Sequence, residues 1–123
     1  MDDAGFQRWL DAYVEGWRTY DANAIGELFS RDVEYRYHPW DEPVRGRAPL
    51  VESWLEDRDE PDSWSAEYRP WLVSGEDAVA VGVSRYLAAD GTVEREYHNV
   101  FLCRFDGDGR CREFTELFLR RSD

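Results

Sequence analysis

Two aspartate–glycine turns, Asp90-Gly91 and Asp106-Gly107-Asp108-Gly109, follow an earlier glycine, Gly75, in the second half of the chain. Asp-Gly readily supplies the positive φ angles that tight hairpin turns require. These turns cut the sequence into four segments near 63–73, 77–88, 93–105 and 110–120, which read as an antiparallel meander. The first half has a different period. Phe6, Trp9, Leu10, Tyr13, Val14 and Trp17 share one helical stripe. Asp21 can cap a shorter second helix carrying Ile25, Leu28 and Phe29. A short strand is expected over Val33–Tyr37, ended by His38-Pro39, and a third helix near Pro49 presents Leu50, Val51, Trp54 and Leu55. Helices followed by an antiparallel sheet make an α+β domain, and 123 residues suit a single domain spanning 1–123.

The turns also set the register. A two-residue turn at Asp90-Gly91 places Arg85 opposite Glu96, Gly82 opposite Asn99 and Ala80 opposite Phe101. A four-residue loop at 106–109 places Phe101 opposite Phe114, Asn99 opposite Glu116 and Tyr97 opposite Phe118. Opposed residues share a face, so Ala78, Ala80, Gly82, Ser84, Tyr97, Asn99, Phe101, Phe114, Glu116 and Phe118 are expected on one side. Val79, Val81, Val83, His98, Val100, Leu102, Thr115, Leu117 and Leu119 fall on the other. The first side mixes aromatics with very small residues, which leave room for a cavity or a closely packed helix. The second is an apolar surface suited to a partner. This register sends Cys103 and Cys111 to opposite faces as packing residues.

Charge narrows the choice of partners. The net charge is −12 with 27 acidic residues, and all 15 basic residues are arginine. Such a field repels phosphate backbones, so nucleic acid is not an expected partner. No apolar run approaches the ~18–20 residues of a membrane span. Met1-Asp2-Asp3 is acidic where a secretory signal is basic, so a cytoplasmic protein is expected. Two cysteines make no disulfide framework, and no His/Cys spacing reads as a metal site. No cofactor is implied.

Leu28-Phe29-Ser30-Arg31-Asp32-Val33, Pro43-Val44-Arg45-Gly46-Arg47 and Phe105-Asp106-Gly107-Asp108-Gly109-Arg110, in this order of elements, resemble the SnoaL-like and ketosteroid-isomerase-like members of the nuclear transport factor 2-like superfamily. The resemblance runs from about Phe6 to Arg120. It implies a cone in which three N-terminal helices pack on a curved, mainly antiparallel sheet around an internal pocket, and a homodimer formed through the outer sheet face. It also implies that Tyr13 stands at the oxyanion-hole tyrosine of the ketosteroid isomerases and Trp54 at a supporting pocket tyrosine. Tyr37 stands at their catalytic aspartate, and a one-residue shift would put His38-Pro39 on that enzyme's Asp-Pro pair. Phe101 stands at the protonated aspartate, so steroid isomerisation itself is not expected.

Glu116 is the leading catalytic candidate, because alternation sets it between Phe114 and Phe118, where lost hydration raises a carboxyl pKa toward the range of acid–base catalysis. Ionic or hydrogen-bonded anchoring, through Asn99, a tyrosine or an arginine, is its structural alternative. His38 is a candidate proton shuttle, since histidine changes charge near neutral pH, and Tyr37 completes the catalytic candidates. Tyr13, Tyr35, Trp54, Tyr97, Asn99, Phe101, Phe114 and Phe118 are candidate ligand contacts, with Arg69 and Trp71 reaching inward from the first meander strand. Three functions stay open: cofactor-free acid–base chemistry on a small, largely apolar oxygenated molecule (isomerisation, dehydration, cyclisation or epoxide opening); ligand binding without turnover; and a dimeric interaction protein with a vestigial pocket.

Overall fold

The computed structural model describes residues Met1–Asp123. Helix α1 (Asp3–Thr19) begins where the Asp2 side chain accepts the Gly5 N–H at 2.7 Å and ends at Tyr20, whose left-handed φ of 52° turns its N–H back onto the Gly16 carbonyl. Its expected stripe is the buried one: Phe6, Trp9, Leu10 and Tyr13 are buried and Trp17 is partly covered. Helix α2 (Ala22–Glu27) is capped by Asp21, which accepts from the Asn23 and Ala24 N–H groups. Helix α3 (Arg47–Glu56) starts two residues before Pro49, because Gly46 at φ 96° makes the sharp entry that a side chain would resist.

Strands β1 (Phe29–Arg36), β2 (Val44–Arg45), β3 (Trp64–Ser74), β4 (Asp77–Leu87), β5 (Val93–Phe105) and β6 (Cys111–Arg120) form one sheet in the order β2-β1-β6-β5-β4-β3. All neighbours are antiparallel except β1 and β6, which run parallel. Strand β1 is longer than hydrophobic alternation alone suggested, and β2 was too short for the pattern to show. Strand β1 uses the edge that β6 offers once the meander is complete, and β2 adds to the free edge of β1.

Between β4 and β5 the expected pairs form, with Arg85 opposite Glu96 and Ala80 opposite Phe101, but not through a two-residue turn. The Ala88 N–H donates to the Thr92 carbonyl around a three-residue loop, and a bulge after Tyr86, where Leu87 pairs with Val93, restores the register. Between β5 and β6 every expected pairing is displaced by two residues. Phe101 faces Glu116, Cys103 faces Phe114, Asn99 faces Phe118 and Tyr97 faces Arg120. Phe105 pairs with Cys111, so the loop is one residue longer than four, and a bulge between Arg104 and Phe105 adds a second offset. Two single offsets restore parity, so Phe114 and Glu116 keep their face while their neighbours change.

The same bulge corrects the cysteines. Cys111 turns inward beside Cys103, and both are buried thiols on the inner side.

A second bulge corrects Arg69 and Trp71. Counting back from the Ser74–Asp77 pair without interruption sets Arg69 opposite Gly82, on the inner face. The ladder instead skips Trp71, so Arg69 pairs with Val81 on the outer face and Tyr68 takes the place opposite Gly82. Trp71 is 66% exposed and the Arg69 guanidinium lies over its ring.

Tyr68 also explains one of the small residues. A Cβ built on Gly82 would lie 2.1 Å from the Glu67 carbonyl oxygen and 2.3 Å from Tyr68 Cδ1. Gly82 is therefore the floor on which the Tyr68 ring rests. The core beneath is aromatic: Phe114 stacks at 4.4 Å on Tyr35 and at 5.6 Å on Tyr13.

Candidate functional site

Helix α1, the start of the connector after α3 and the inner ends of β4 and β6 enclose a cavity of about 500 Å³. Tyr13 and Trp17 reach it from α1, one and two turns beyond Trp9 and Leu10. Tyr35 enters from β1, and Tyr37, His38 and Asp41 from the segment after it. Ser53 and Trp54 come from α3, Tyr68 from β3, Ser84 and Tyr86 from β4, and Glu116 and Phe118 from β6. Tyr20, Asp57 and Asp59 complete the lining.

Glu116 is half-buried, and Asn99 Nδ2 donates to its Oε2 at 2.9 Å. Asn99 is itself oriented by the Ser84 hydroxyl, which donates to Asn99 Oδ1 at 3.0 Å. Neither Glu116 nor Asp57 nor Asp59 forms an ion pair. Burial pushes the Glu116 carboxyl up to about 7, against the smaller opposing pulls of the Asn99 hydrogen bond and of His38. The arginine anchor considered from the sequence is not formed, since Arg69 lies on the opposite face of the sheet.

His38 is set by Asp41, whose Oδ2 is 2.8 Å from Nδ1. A carboxylate acceptor there places the proton on Nδ1 and leaves Nε2 as the acceptor. The imidazole stacks on Trp40 at 5.1 Å and meets Phe118 at 5.6 Å.

Four tyrosines supply hydroxyls. Tyr13 and Tyr35 share one hydrogen bond of 3.0 Å, and Tyr37 shares one of 2.7 Å with Ser53. Each pair holds two hydroxyl protons and uses one between them, so each can offer one more to a guest. Burial raises the pKa of Tyr13, Tyr35, Tyr37 and Tyr68, which keeps these phenols protonated as donors. At the mouth, Trp17 Nε1 donates to Asp59 Oδ2 at 2.8 Å, and the Asp59 N–H donates to the Tyr20 hydroxyl at 2.7 Å. Burial and then the Asp59 charge push Tyr86 up to about 12.

Of the residues singled out in the sequence, the cavity brings together Glu116, His38, Tyr37, Tyr13, Tyr35, Trp54 and Phe118. Asn99 stands one hydrogen bond behind. Phe101 and Phe114 lie beneath the tyrosines as fully buried packing. Tyr97 sits outside the lining, edge-on to Tyr86 and Phe118, with Arg95 Nη1 donating to its hydroxyl at 3.2 Å. Arg69 and Trp71 do not reach the cavity. Sequence reasoning missed Trp17, Tyr20, Asp41, Ser53, Asp57, Asp59, Tyr68, Ser84 and Tyr86 as lining. Trp17 and Ser84 carried a signal, the one in the stripe of α1 and the other in its place on the inner face. No three His, Cys, Asp or Glu side chains converge in a way that could hold a metal ion.

Solved structures share this architecture. A protein of unknown function from Burkholderia xenovorans LB400, described as NTF-2 like, superposes with a TM-score of 0.73 over 98% of this chain and 87% of its own, at 16% identity. An NTF2-like protein of unknown function from Cytophaga hutchinsonii ATCC 33406 gives 0.67 over 92% and 98%, also at 16% identity. A protein from Kribbella flavida DSM 17836, provisionally named a ketosteroid isomerase, gives 0.69 over 99% and 83%, at 17% identity. At such identities the likeness carries the fold alone. No curated protein matches this chain in sequence. The profile of the SnoaL-like domain matches residues 10–114, all three helices but the first turns of α1 and every strand as far as Phe114. The chain shares its fold with these NTF2-like structures and belongs to the SnoaL-like domain family.

Proposed function

We propose that this chain is a cofactor-free acid–base enzyme acting on a small, largely apolar oxygenated molecule. The observation that carries the reading is Glu116, a carboxyl facing an aromatic cavity with one amide donor and no cation to hold it ionised. A carboxyl with a pKa of about 7 exists in both forms at neutral pH, so it can take a proton from carbon and return it elsewhere. In this reading the spare proton of the Tyr13–Tyr35 pair hydrogen-bonds the oxygen on which charge develops. His38, fixed by Asp41, is a second group able to accept or pass a proton. Isomerisation and elimination both fit this set, since each needs one proton moved and one oxygen stabilised.

The test is deuterium incorporation next to the carbonyl of small cyclic enones in D2O, read by NMR. The expected result is protein-dependent exchange that falls by about 10²–10⁴-fold in Glu116→Gln. Enones that bind without exchange would instead identify a binding module. That second reading draws on the tyrosine hydroxyls being already paired, Tyr13 with Tyr35 and Tyr37 with Ser53. A homodimer is part of the proposal. Leu102 and Leu119, 45% and 78% exposed, belong to an outer sheet face with Leu117 and Val100 that one copy alone leaves open to water.

A further inference from the structure

The charge of the cavity is one-sided. Its 16 lining residues include four carboxylates, Asp41, Asp57, Asp59 and Glu116, and no arginine, in a chain that has 15 basic residues. Asp57 and Asp59 stand at the mouth, where neither is neutralised by an ion pair. The mouth also presents the rings of Trp17, Tyr20 and Tyr86. Trp17 is held flat by Trp64, stacked at 3.6 Å and 6°. The electron-rich faces of such rings attract cations. The chain's own guanidiniums show it at this rim: Arg58 lies 5.5 Å from the Tyr20 centroid and Arg95 lies 4.4 Å from that of Tyr86, neither lining the cavity.

An independent feature marks the inner end for a polar guest. Tyr68 is only 8% exposed and lines the cavity beside Ser84, whose hydroxyl is within hydrogen-bonding reach of the Tyr68 phenol. The neighbouring Ser84 gives its own proton to Asn99. A phenol both donates and accepts, so beside Ser84 the Tyr68 hydroxyl keeps hydrogen-bonding capacity for a ligand oxygen.

We propose that the substrate carries an organic cation, a protonated amine or quaternary ammonium, seated at the mouth among Trp17, Tyr20, Tyr86, Asp57 and Asp59, with its oxygen function inward against Tyr68 and Glu116. This rests on the cavity being the reaction site and narrows its substrate class. The two ends divide the work. The mouth binds charge that does not change in the reaction, and the inner end handles the proton.

The test compares choline with 3,3-dimethyl-1-butanol, the same shape with carbon in place of nitrogen, by calorimetric titration of the whole protein at pH 8 and low salt. Choline is expected to bind about ten-fold more tightly than the neutral isostere. That advantage should shrink toward parity in Asp57→Asn/Asp59→Asn, which keeps an oxygen acceptor for Trp17 Nε1, and the isostere's own affinity should stay unchanged. Raised salt should erode the same advantage in the unaltered protein, a readout that does not depend on the variant folding. Equal binding, tighter binding of the isostere, an advantage insensitive to both variant and salt, or no binding of either compound would overturn the proposal. Binding of the isostere alone removes the cation and leaves the acid–base reading standing. That reading falls separately, if Glu116→Gln leaves enone exchange unchanged.

Discussion

Replacing Glu116 by Gln should change stability in a pH-dependent way whose sign the geometry fixes. In the unfolded chain this carboxyl ionises near its ordinary 4.5, and in the fold burial delays ionisation to about 7. Between those values the native state holds a proton that the unfolded state has released, so the parent loses stability as pH rises through this window. Above it the loss is complete, and below 4.5 it is absent. A displacement from 4.5 to about 7 corresponds to about 3 kcal/mol. Because Glu116 keeps some contact with solvent, that is a ceiling. The amide that replaces the carboxyl has no such titration and retains an oxygen to accept from Asn99, while every other group titrates alike in both proteins. Urea unfolding of parent and variant at pH 5 and pH 8 isolates the effect. The variant should gain on the parent by about 2–3 kcal/mol between the two, which is about 10 °C in melting temperature for a domain of this length. A difference that does not move with pH would refute the argument, because the carboxyl would then ionise alike in both states. A variant that falls further behind at pH 8 would reveal a cationic partner for Glu116.

Other perturbations test the surroundings. Gly82→Ala should destabilise by about 3 kcal/mol or more, since its methyl would meet the Glu67 carbonyl and the Tyr68 ring; near-parental urea unfolding would show that the Tyr68 ring does not rest there. Tyr35→Phe should cost about 1 kcal/mol by removing the bond to the Tyr13 hydroxyl, and the Tyr13→Phe/Tyr35→Phe pair should cost less than the sum of the singles in denaturation. Sedimentation at tens of micromolar (~10⁻⁵ M) should show a dimer, and Leu102→Arg on the outer face should convert it to monomer; a monomeric parent would refute that interface.

Element order and the faces of the meander were legible in the sequence, because turn chemistry and period are local. The β4–β5 pairs are those expected around Asp90-Gly91, although a longer loop and a bulge after Tyr86 together produce them, and the α1 stripe runs from Phe6 to Tyr13 as its spacing requires. Glu116 was legible on the inner side as well, for alternation survives any even displacement, and the β5–β6 displacement is two residues. The odd offsets came only with the assembled fold. One bulge at Trp71 exchanged Arg69 for Tyr68 at the cavity, and one near Phe105 turned Cys111 inward. A bulge costs little locally and leaves no clear mark in composition. Whether the ladder takes it depends on which side chain the core can accept, and a tyrosine ring over Gly82 is accepted where a guanidinium is not. The carboxylates at the mouth were out of reach for a related reason. Asp57 and Asp59 lie in a connector without periodicity, and only the docking of α3 against α2 and β1 brings them beside Trp17, Tyr20 and Tyr86.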